Sequence, residues 1–69
     1  MARLSRKDNL QDFRTRSLLG ATRKIIATEG FDAVTMERVA REAGITKGGI
    51  YLYFRNKDQL ILTTLEAIA

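Results

Sequence analysis

The sequence contains neither cysteine nor histidine. Without cysteine the chain can form no disulfide and no thiolate metal site, and the absence of histidine as well nearly excludes zinc. The same absences remove the commonest catalytic nucleophile and the commonest general base, which makes an enzyme a poor hypothesis. We therefore expect a protein without metal, cofactor or catalytic site.

Long apolar segments are missing too. No run approaches the ~20 residues that span a bilayer, so we expect no membrane partner. MARLSRK is basic like the start of a signal peptide, but polar DNLQD follows it where an apolar stretch would be needed. Hydrophobic residues make up 45% of the 69 residues, which argues against disorder. The sequence thus predicts one small, soluble, cytoplasmic domain.

The basic residues are unevenly distributed. Residues 1–24 carry seven basic and two acidic side chains, whereas residues 25–69 carry five basic and six acidic ones. Within the second part, three cations occur together with no acidic residue among them: Lys47, Arg55 and Lys57. Basic regions of this kind attract polyanions such as nucleic acid, although a charge run alone is usually a solvated surface.

The segment MERVAREAGITKGGIYLYF, residues 36–54, is the most informative part of the chain. A helix-turn-helix requires two short helices that cross steeply through a turn that often contains glycine. Val39, Ala40 and Ala43 give the first helix one apolar face, and the small Ala40 permits a close crossing. Gly44 then favours the left-handed backbone at which that helix must end.

The second helix of the motif follows at matching offsets. Ile45 is placed to fill the space under the turn, and Thr46 is a suitable N-cap. An apolar stripe at i, i+3 and i+4 faces the first helix: Ile50, Tyr53 and Phe54. This order of residues is typical of a helix-turn-helix that reads DNA.

Periodicity and capping residues predict the other helices. We expect helix 1 at about residues 8–29, ended by Gly30, with Phe31 anchoring the loop to the core. Helix 2 spans residues 36–43 after an N-cap at Thr35, and helix 3 spans residues 47–55. A capping box of Asn56 and Gln59 opens helix 4. The predicted fold is all-α, a three-helix, homeodomain-like helix-turn-helix bundle plus the start of a fourth helix.

The stretch LLGATRKIIATEGFDAVTMERVAREAGITKGGIYLYFRNKDQL resembles the amino-terminal DNA-binding domain of TetR-family transcriptional regulators. The resemblance covers residues 16–66 and lies in Gly-Phe after helix 1, the Ala-Gly-Ile turn, Tyr-x-Tyr-Phe and Asn-Lys-Asp. It implies a mostly bacterial, homodimeric repressor with helix 3 in the major groove. It also implies a larger carboxy-terminal helical domain, outside this chain, that dimerises and binds a small-molecule effector.

The resemblance also implies a domain layout. Residues 1–15 form a basic arm and an extension of helix 1, residues 16–57 form the DNA-binding domain with its motif at 35–54, and residues 58–69 begin helix 4. The apolar stripe of helix 4 requires a partner, which predicts that this chain is the amino-terminal piece of a longer protein. We expect that protein in the cytoplasm, associated with the nucleoid.

Helix 3 carries the predicted contacts. Lys47 in a first turn and two adjacent glycines are locally unfavourable, as expected where function overrides stability. The predicted DNA-binding residues are Thr35, Thr46, Lys47, Gly48, Gly49, Tyr51, Leu52, Tyr53 and Lys57. Each also has an ordinary interpretation: the threonines as caps, the lysines as solvated charges, the tyrosines as partly packed rings. Two of them depart from the family pattern, since Leu52 replaces a residue that is often polar and Gly49 one that is often larger.

Individual roles follow from side-chain chemistry. We expect Lys47 and Tyr51 to carry most of the base preference and Leu52 to meet a thymine methyl group. Tyr53 and Lys57 are candidates for phosphate contacts, Lys57 beside helix 4 N–H groups. The amino-terminal cations Arg3, Arg6 and Lys7 either reach the minor groove or belong to a frayed terminus.

Two other classes of protein remain open. A basic helical module that docks on an acidic protein or an anionic surface would use the same charges, but the paired glycines would then serve no purpose. An enzyme fragment ranks last, because Glu37 and Glu42 lie on an exposed helix without a partner base.

Overall fold

The computed structural model describes residues 6–68, with side chains from residue 12 onward. It consists of α1 (Arg6–Glu29), a 3-10 turn (Phe31–Ala33), α2 (Met36–Ala43), α3 (Lys47–Ile50) and α4 (Lys57–Ile68). The predicted all-α class is confirmed. None of these helices is long and apolar enough to cross a bilayer. Arg3 lies outside the described residues, as do the side chains of Arg6 and Lys7.

One apolar core joins the helices, with α1 packed against both α2 and α4. Its buried side chains are Leu18, Ile25, Val34, Met36, Val39, Ala40, Ile50, Phe54 and Leu60. Thr22 and Thr64 are buried with them, and each hydroxyl donates to the carbonyl four residues earlier, at 2.8 and 2.7 Å. These two polar groups therefore enter the core without an unmatched donor.

Backbone capping sets the crossing of α2 and α3. The Thr35 hydroxyl accepts the Arg38 N–H at 3.0 Å, which confirms the predicted N-cap of α2. Gly44 ends α2 in the left-handed region at φ 76°, and the Ile45 N–H returns to the Ala40 carbonyl at 2.9 Å. The turn is thus built from local hydrogen bonds that a glycine at this position permits.

The prediction for Phe31 is wrong. Phe31 is 50% exposed, while Val34 at the end of the 3-10 turn is fully buried. Gly30 adopts φ 94°, and the chain turns at once, with the Val34 N–H bonded to the Phe31 carbonyl at 3.1 Å. Because the tight turn directly follows Gly30, the smaller Val34 takes the core position and Phe31 remains outside.

Helix 3 is shorter than predicted. The α-helix covers Lys47–Ile50, not residues 47–55, and the chain then tightens into a turn. There the N–H groups of Leu52 and Tyr53 bond three residues back, at 3.1 and 2.9 Å, while Phe54 still bonds to Ile50 at 3.0 Å. Two glycines give this segment little intrinsic helix stability, so burial of Ile50 and Phe54 directs its path.

The start of α4 is capped by two side chains. The Gln59 N–H donates to Asn56 Oδ1 at 2.9 Å, which confirms the predicted N-cap. Gln59 Oε1 accepts the Arg55 N–H at 2.6 Å, one residue earlier than a capping box requires. This second bond ties the end of the turn that follows α3 to α4.

An exposed ion cluster joins α1 to α2. The Arg38 guanidinium donates to both carboxylate oxygens of Glu29, through Nη1 at 3.0 Å and also through Nη2. Nη2 lies 3.5 Å from Glu42 Oε1 as well. The hydrogen bonds from Arg38 hold the pKa of Glu29 below its ordinary value, and those to Glu29 raise the pKa of Arg38. The cluster links the end of α1 to the helix that carries the turn.

Candidate nucleic-acid interface

The segment from α3 to Arg55 forms an exposed ridge. Ile50 and Phe54 point into the core, while Tyr51 is 50% exposed and Leu52 is 81% exposed. Gly48 lies on the same exposed side, and a Cβ placed there would have no neighbour within 4 Å. Ile50 and Phe54 of the predicted apolar stripe are therefore buried, and the opposite face, with Tyr51 and Leu52, is exposed.

A cleft of about 450 Å³ lies on one side of this ridge, and we call it the α2–α4 cleft. Its lining residues are Thr35, Met36, Glu37, Lys47, Tyr51, Arg55, Asn56 and Lys57. Four of the nine predicted DNA-binding residues meet here although they come from three different helices or their caps.

The α2–α4 cleft is suited to an anion. Lys47, Arg55 and Lys57 contribute three positive charges against the single carboxylate of Glu37. The amino-terminal ends of α2 and α4 both open into it, and N–H groups in a first helical turn have no partner within the helix. Such N–H groups favour phosphate and reinforce nearby cations.

A second cleft of about 360 Å³ lies on the other side of the ridge, and we call it the α1–α3 cleft. Its lining residues are Arg14, Gly44, Ile45, Thr46, Gly49, Leu52 and Tyr53. It brings together four more of the predicted residues, so the predicted set divides between two clefts. Gly48 belongs to neither cleft and lies on the ridge between them.

The two adjacent glycines have different surroundings. A Cβ at Gly49 would lie 2.8 Å from Thr46 Oγ1, the same atom that accepts the Gly49 N–H at 2.9 Å. A side chain at this position would displace the hydroxyl that caps α3, whereas Gly48 faces open space. Both glycines were predicted to bind DNA, but Gly49 has a structural reason to lack a side chain.

Two arginines of these clefts were absent from the predicted set. Arg55 follows Tyr51 by one helical turn, so the spacing contained the information to include it. Arg14 lies on α1, far in sequence from the turn, and only tertiary packing brings it to the α1–α3 cleft. No local pattern indicates such a residue.

Comparison with protein-family models gives one match over most of this region. Residues 18–64 match the model of the bacterial regulatory proteins of the TetR family. The match begins after Arg14 and includes both capping threonines, the ridge and most of α4. It covers more than half of the chain.

Named relatives agree with this match. The chain is 43% identical over 44 residues to an uncharacterized HTH-type transcriptional regulator of Haemophilus influenzae, covering 64% of this chain and 24% of that protein. It is 32% identical over 62 residues to the HTH-type transcriptional regulator BetI of Rhizobium meliloti, covering 90% of this chain and 30% of BetI.

A solved structure shows the same fold. The crystal structure of a TetR-family transcriptional regulator from Haemophilus influenzae superposes with a TM-score of 0.75 and 34% identity. The match covers 80% of this chain and 30% of that one. The chain thus spans about a quarter to a third of the length of these relatives.

Proposed function

We propose that this chain, which belongs to the TetR family of bacterial regulatory proteins, binds double-stranded DNA by placing α3 in the major groove. The observation that carries the proposal is the exposed ridge with a cleft on each side. A major groove is ~12 Å wide and accepts one helix, with a phosphate backbone along each wall. A ridge that reads bases, flanked by two surfaces that receive phosphates, has the matching shape.

The α2–α4 cleft contributes the stronger electrostatic attraction. Lys57 stands at the first position of α4, beside N–H groups that also favour an anion, and Lys47 faces the same space. Thr35 caps α2 at the cleft wall, where its hydroxyl can donate to a phosphate while accepting the Arg38 N–H. Contacts of this kind orient a protein on the duplex without reading its sequence.

Base reading falls to the ridge. Lys47 can donate to the O6 and N7 acceptors of guanine, and Tyr51 presents a half-exposed ring and hydroxyl. Leu52 has no polar atom to satisfy, so its exposed side chain suits the 5-methyl group of thymine. Tyr53 is only partly buried and lines the α1–α3 cleft, where its hydroxyl is a candidate donor to the second backbone.

For the whole protein we propose a homodimeric cytoplasmic repressor, associated with the nucleoid, that a small-molecule effector releases from DNA. Residues 1–15 supply a basic arm and the extension of helix 1, residues 16–57 the DNA-binding domain, and residues 58–69 the connection to a domain that dimerises and binds the effector. Two observations support this layout: the greater length of the relatives, and three exposed apolar side chains on α4, namely Leu62, Leu65 and Ile68.

A binding-site selection followed by fluorescence anisotropy tests the proposal. The 69-residue chain should enrich a short duplex motif and bind it more tightly than a scrambled duplex, the matching single strand, heparin or anionic vesicles. We expect weak affinity, because a regulator of this type gains bivalency from two recognition helices spaced ~34–36 Å apart. Equal binding to all polyanions, with no enriched motif, would instead favour a basic interaction module.

A further inference from the structure

The α1–α3 cleft contains a single charged side chain among the residues that the structure describes. Arg14 stands there among polar and apolar neighbours such as Thr46, Leu52 and Tyr53. It is partly buried and makes no ion pair with any described residue, whereas Arg16, two positions later, pairs with Asp12 at 3.4 Å. A cation held in a cleft without an acidic partner among residues 12–68 is available to an anion from outside.

The position of Arg14 relative to the ridge identifies the anion. The α1–α3 cleft lies across α3 from the α2–α4 cleft, whose three cations face one wall of the groove. When α3 enters a major groove, the opposite cleft faces the other strand. That strand carries the same density of phosphates, yet Arg14 is the one described cation in that cleft.

The chemistry of the neighbours fits the same ligand. A guanidinium presents a planar fork that holds two phosphate oxygens at once. The Tyr53 hydroxyl lines the same cleft and can donate a further hydrogen bond. Leu52 and Ile45 add apolar surface to the same cleft.

We propose that Arg14 binds a backbone phosphate of the DNA strand opposite to the one held by Lys57. This inference rests on the proposed DNA binding and adds α1 to the interface. The two clefts then hold α3 from both sides of the groove, so its insertion is fixed by two phosphate contacts on different strands.

Salt dependence gives the first test, with Arg14→Gln and Arg16→Ala compared on the selected duplex. Both changes remove one positive charge, and the glutamine retains much of the side-chain stem that packs in the cleft. Each neutralised phosphate contributes ~0.9 to the slope of log K against log salt, which corresponds to about eightfold in affinity between 1 M and 0.1 M salt. Arg14→Gln should lower the slope by about 0.9, whereas Arg16→Ala should leave it unchanged.

Single methylphosphonate substitutions in the duplex give the strand assignment. One neutral linkage should weaken the wild-type chain about eightfold at 0.1 M salt but have little effect on Arg14→Gln, because that contact is already lost. A second linkage, whose replacement weakens the wild-type chain but has little effect on Lys57→Ala, should lie on the other strand. Arg14→Lys should keep the slope and lose affinity, since a lysine retains the charge without the fork.

The outcomes separate this inference from the proposed function. If the wild-type chain binds the duplex selectively but Arg14→Gln keeps the wild-type slope of log K against log salt, as Arg16→Ala is expected to do, Arg14 has no phosphate contact and the inference is wrong. The inference is also wrong if the neutral linkages that no longer affect Arg14→Gln and Lys57→Ala lie on the same strand. Absence of selective duplex binding by the wild-type chain would overturn both proposals. Thermal unfolding of each variant checks that the fold is retained.

Discussion

Alanine at each of the two adjacent glycines should have opposite effects on stability. At Gly48 an added Cβ meets no atom within 4 Å, and the backbone does not have positive φ. At Gly49 the added Cβ lies 2.8 Å from Thr46 Oγ1, so the hydroxyl must move and the N-cap bond of 2.9 Å is weakened or lost. Both variants therefore gain stability from the restriction of the unfolded chain, and only Gly49→Ala also weakens the N-cap of α3.

The magnitudes follow from these contacts. Replacing glycine by alanine at a compatible position stabilises a protein by ~0.4–1 kcal/mol, mainly by restricting the unfolded chain. Loss of a threonine N-cap costs ~1 kcal/mol. We expect Gly48→Ala to gain ~0.4–1 kcal/mol and Gly49→Ala to be neutral or destabilising. A difference of ~1 kcal/mol corresponds to about 4–8 °C in Tm for a domain of this size.

Chemical and thermal unfolding followed by far-ultraviolet circular dichroism measures the difference, and Thr46→Ala supplies the control. In the Thr46→Ala background no hydroxyl opposes the new methyl group, so Gly49→Ala should become as stabilising as Gly48→Ala. The reasoning fails if Gly49→Ala is as stable as Gly48→Ala with Thr46 present, or if its penalty persists without the hydroxyl.

The same variants separate stability from binding. Gly48 lies on the ridge outside both clefts, so in the proposed binding mode a methyl group there would come between α3 and the groove. Gly48→Ala should therefore be more stable yet bind the selected duplex more weakly. Tighter binding by this variant would show that the backbone of α3 does not approach DNA closely.

Three further predictions follow from the proposed contacts and from the α1–α2 ion cluster. Lys57→Ala should weaken binding to all duplexes about equally and lower the salt slope by ~1, and an unchanged slope would remove Lys57 from the phosphate contacts. Binding-site selection with Lys47→Ala, Tyr51→Ala and Leu52→Ala should give altered motifs, and three identical motifs would place base reading elsewhere. Glu29→Gln should lower the free energy of unfolding at pH values above the ordinary glutamate pKa of 4.5. The difference from the wild-type chain should disappear as pH falls through the lowered pKa of Glu29, because the wild-type carboxylate is then protonated as well. A difference that persists in acid would contradict this prediction.

Features that depend on nearby residues were predictable from the sequence. Thr35, Thr46 and Asn56 each accept an N–H three residues ahead, as their positions indicated. Gly44 adopts the left-handed conformation expected at the end of α2. Each of these depends on a bond within a few residues, so the local sequence contains the necessary information.

Features that depend on whether the backbone forms an α-helix, a 3-10 turn or a loop over a few residues were not predictable from the sequence. The sequence pattern after Gly30 did not distinguish a loop from the 3-10 turn that exposes Phe31 and buries Val34. The segment after Ile50 likewise suits α-helix by its apolar spacing, yet it forms bonds to the third residue back. Glycine gives both places little intrinsic conformational preference, so we attribute the observed paths to packing of the core.

The predicted site shows the same division. Helical spacing predicted the buried side of Ile50 and Phe54, because that assignment needs only the helix period, and Tyr51 and Leu52 are exposed on the opposite side. The grouping into two clefts requires the crossing of α1 with the motif, which no short pattern specifies. Arg14 belongs to the site for that reason alone.

The segment from Thr46 to Arg55 is held mainly at its two ends and along its buried side. The Thr46 hydroxyl caps its start, Ile50 and Phe54 enter the core, and Gln59 binds the Arg55 N–H at its end. None of these stabilising contacts uses an exposed side chain of the ridge. We therefore expect substitutions of the exposed side chains Tyr51, Leu52 and Arg55 to leave the fold nearly unchanged, so that the proposed base contacts can vary without loss of the structure that presents them.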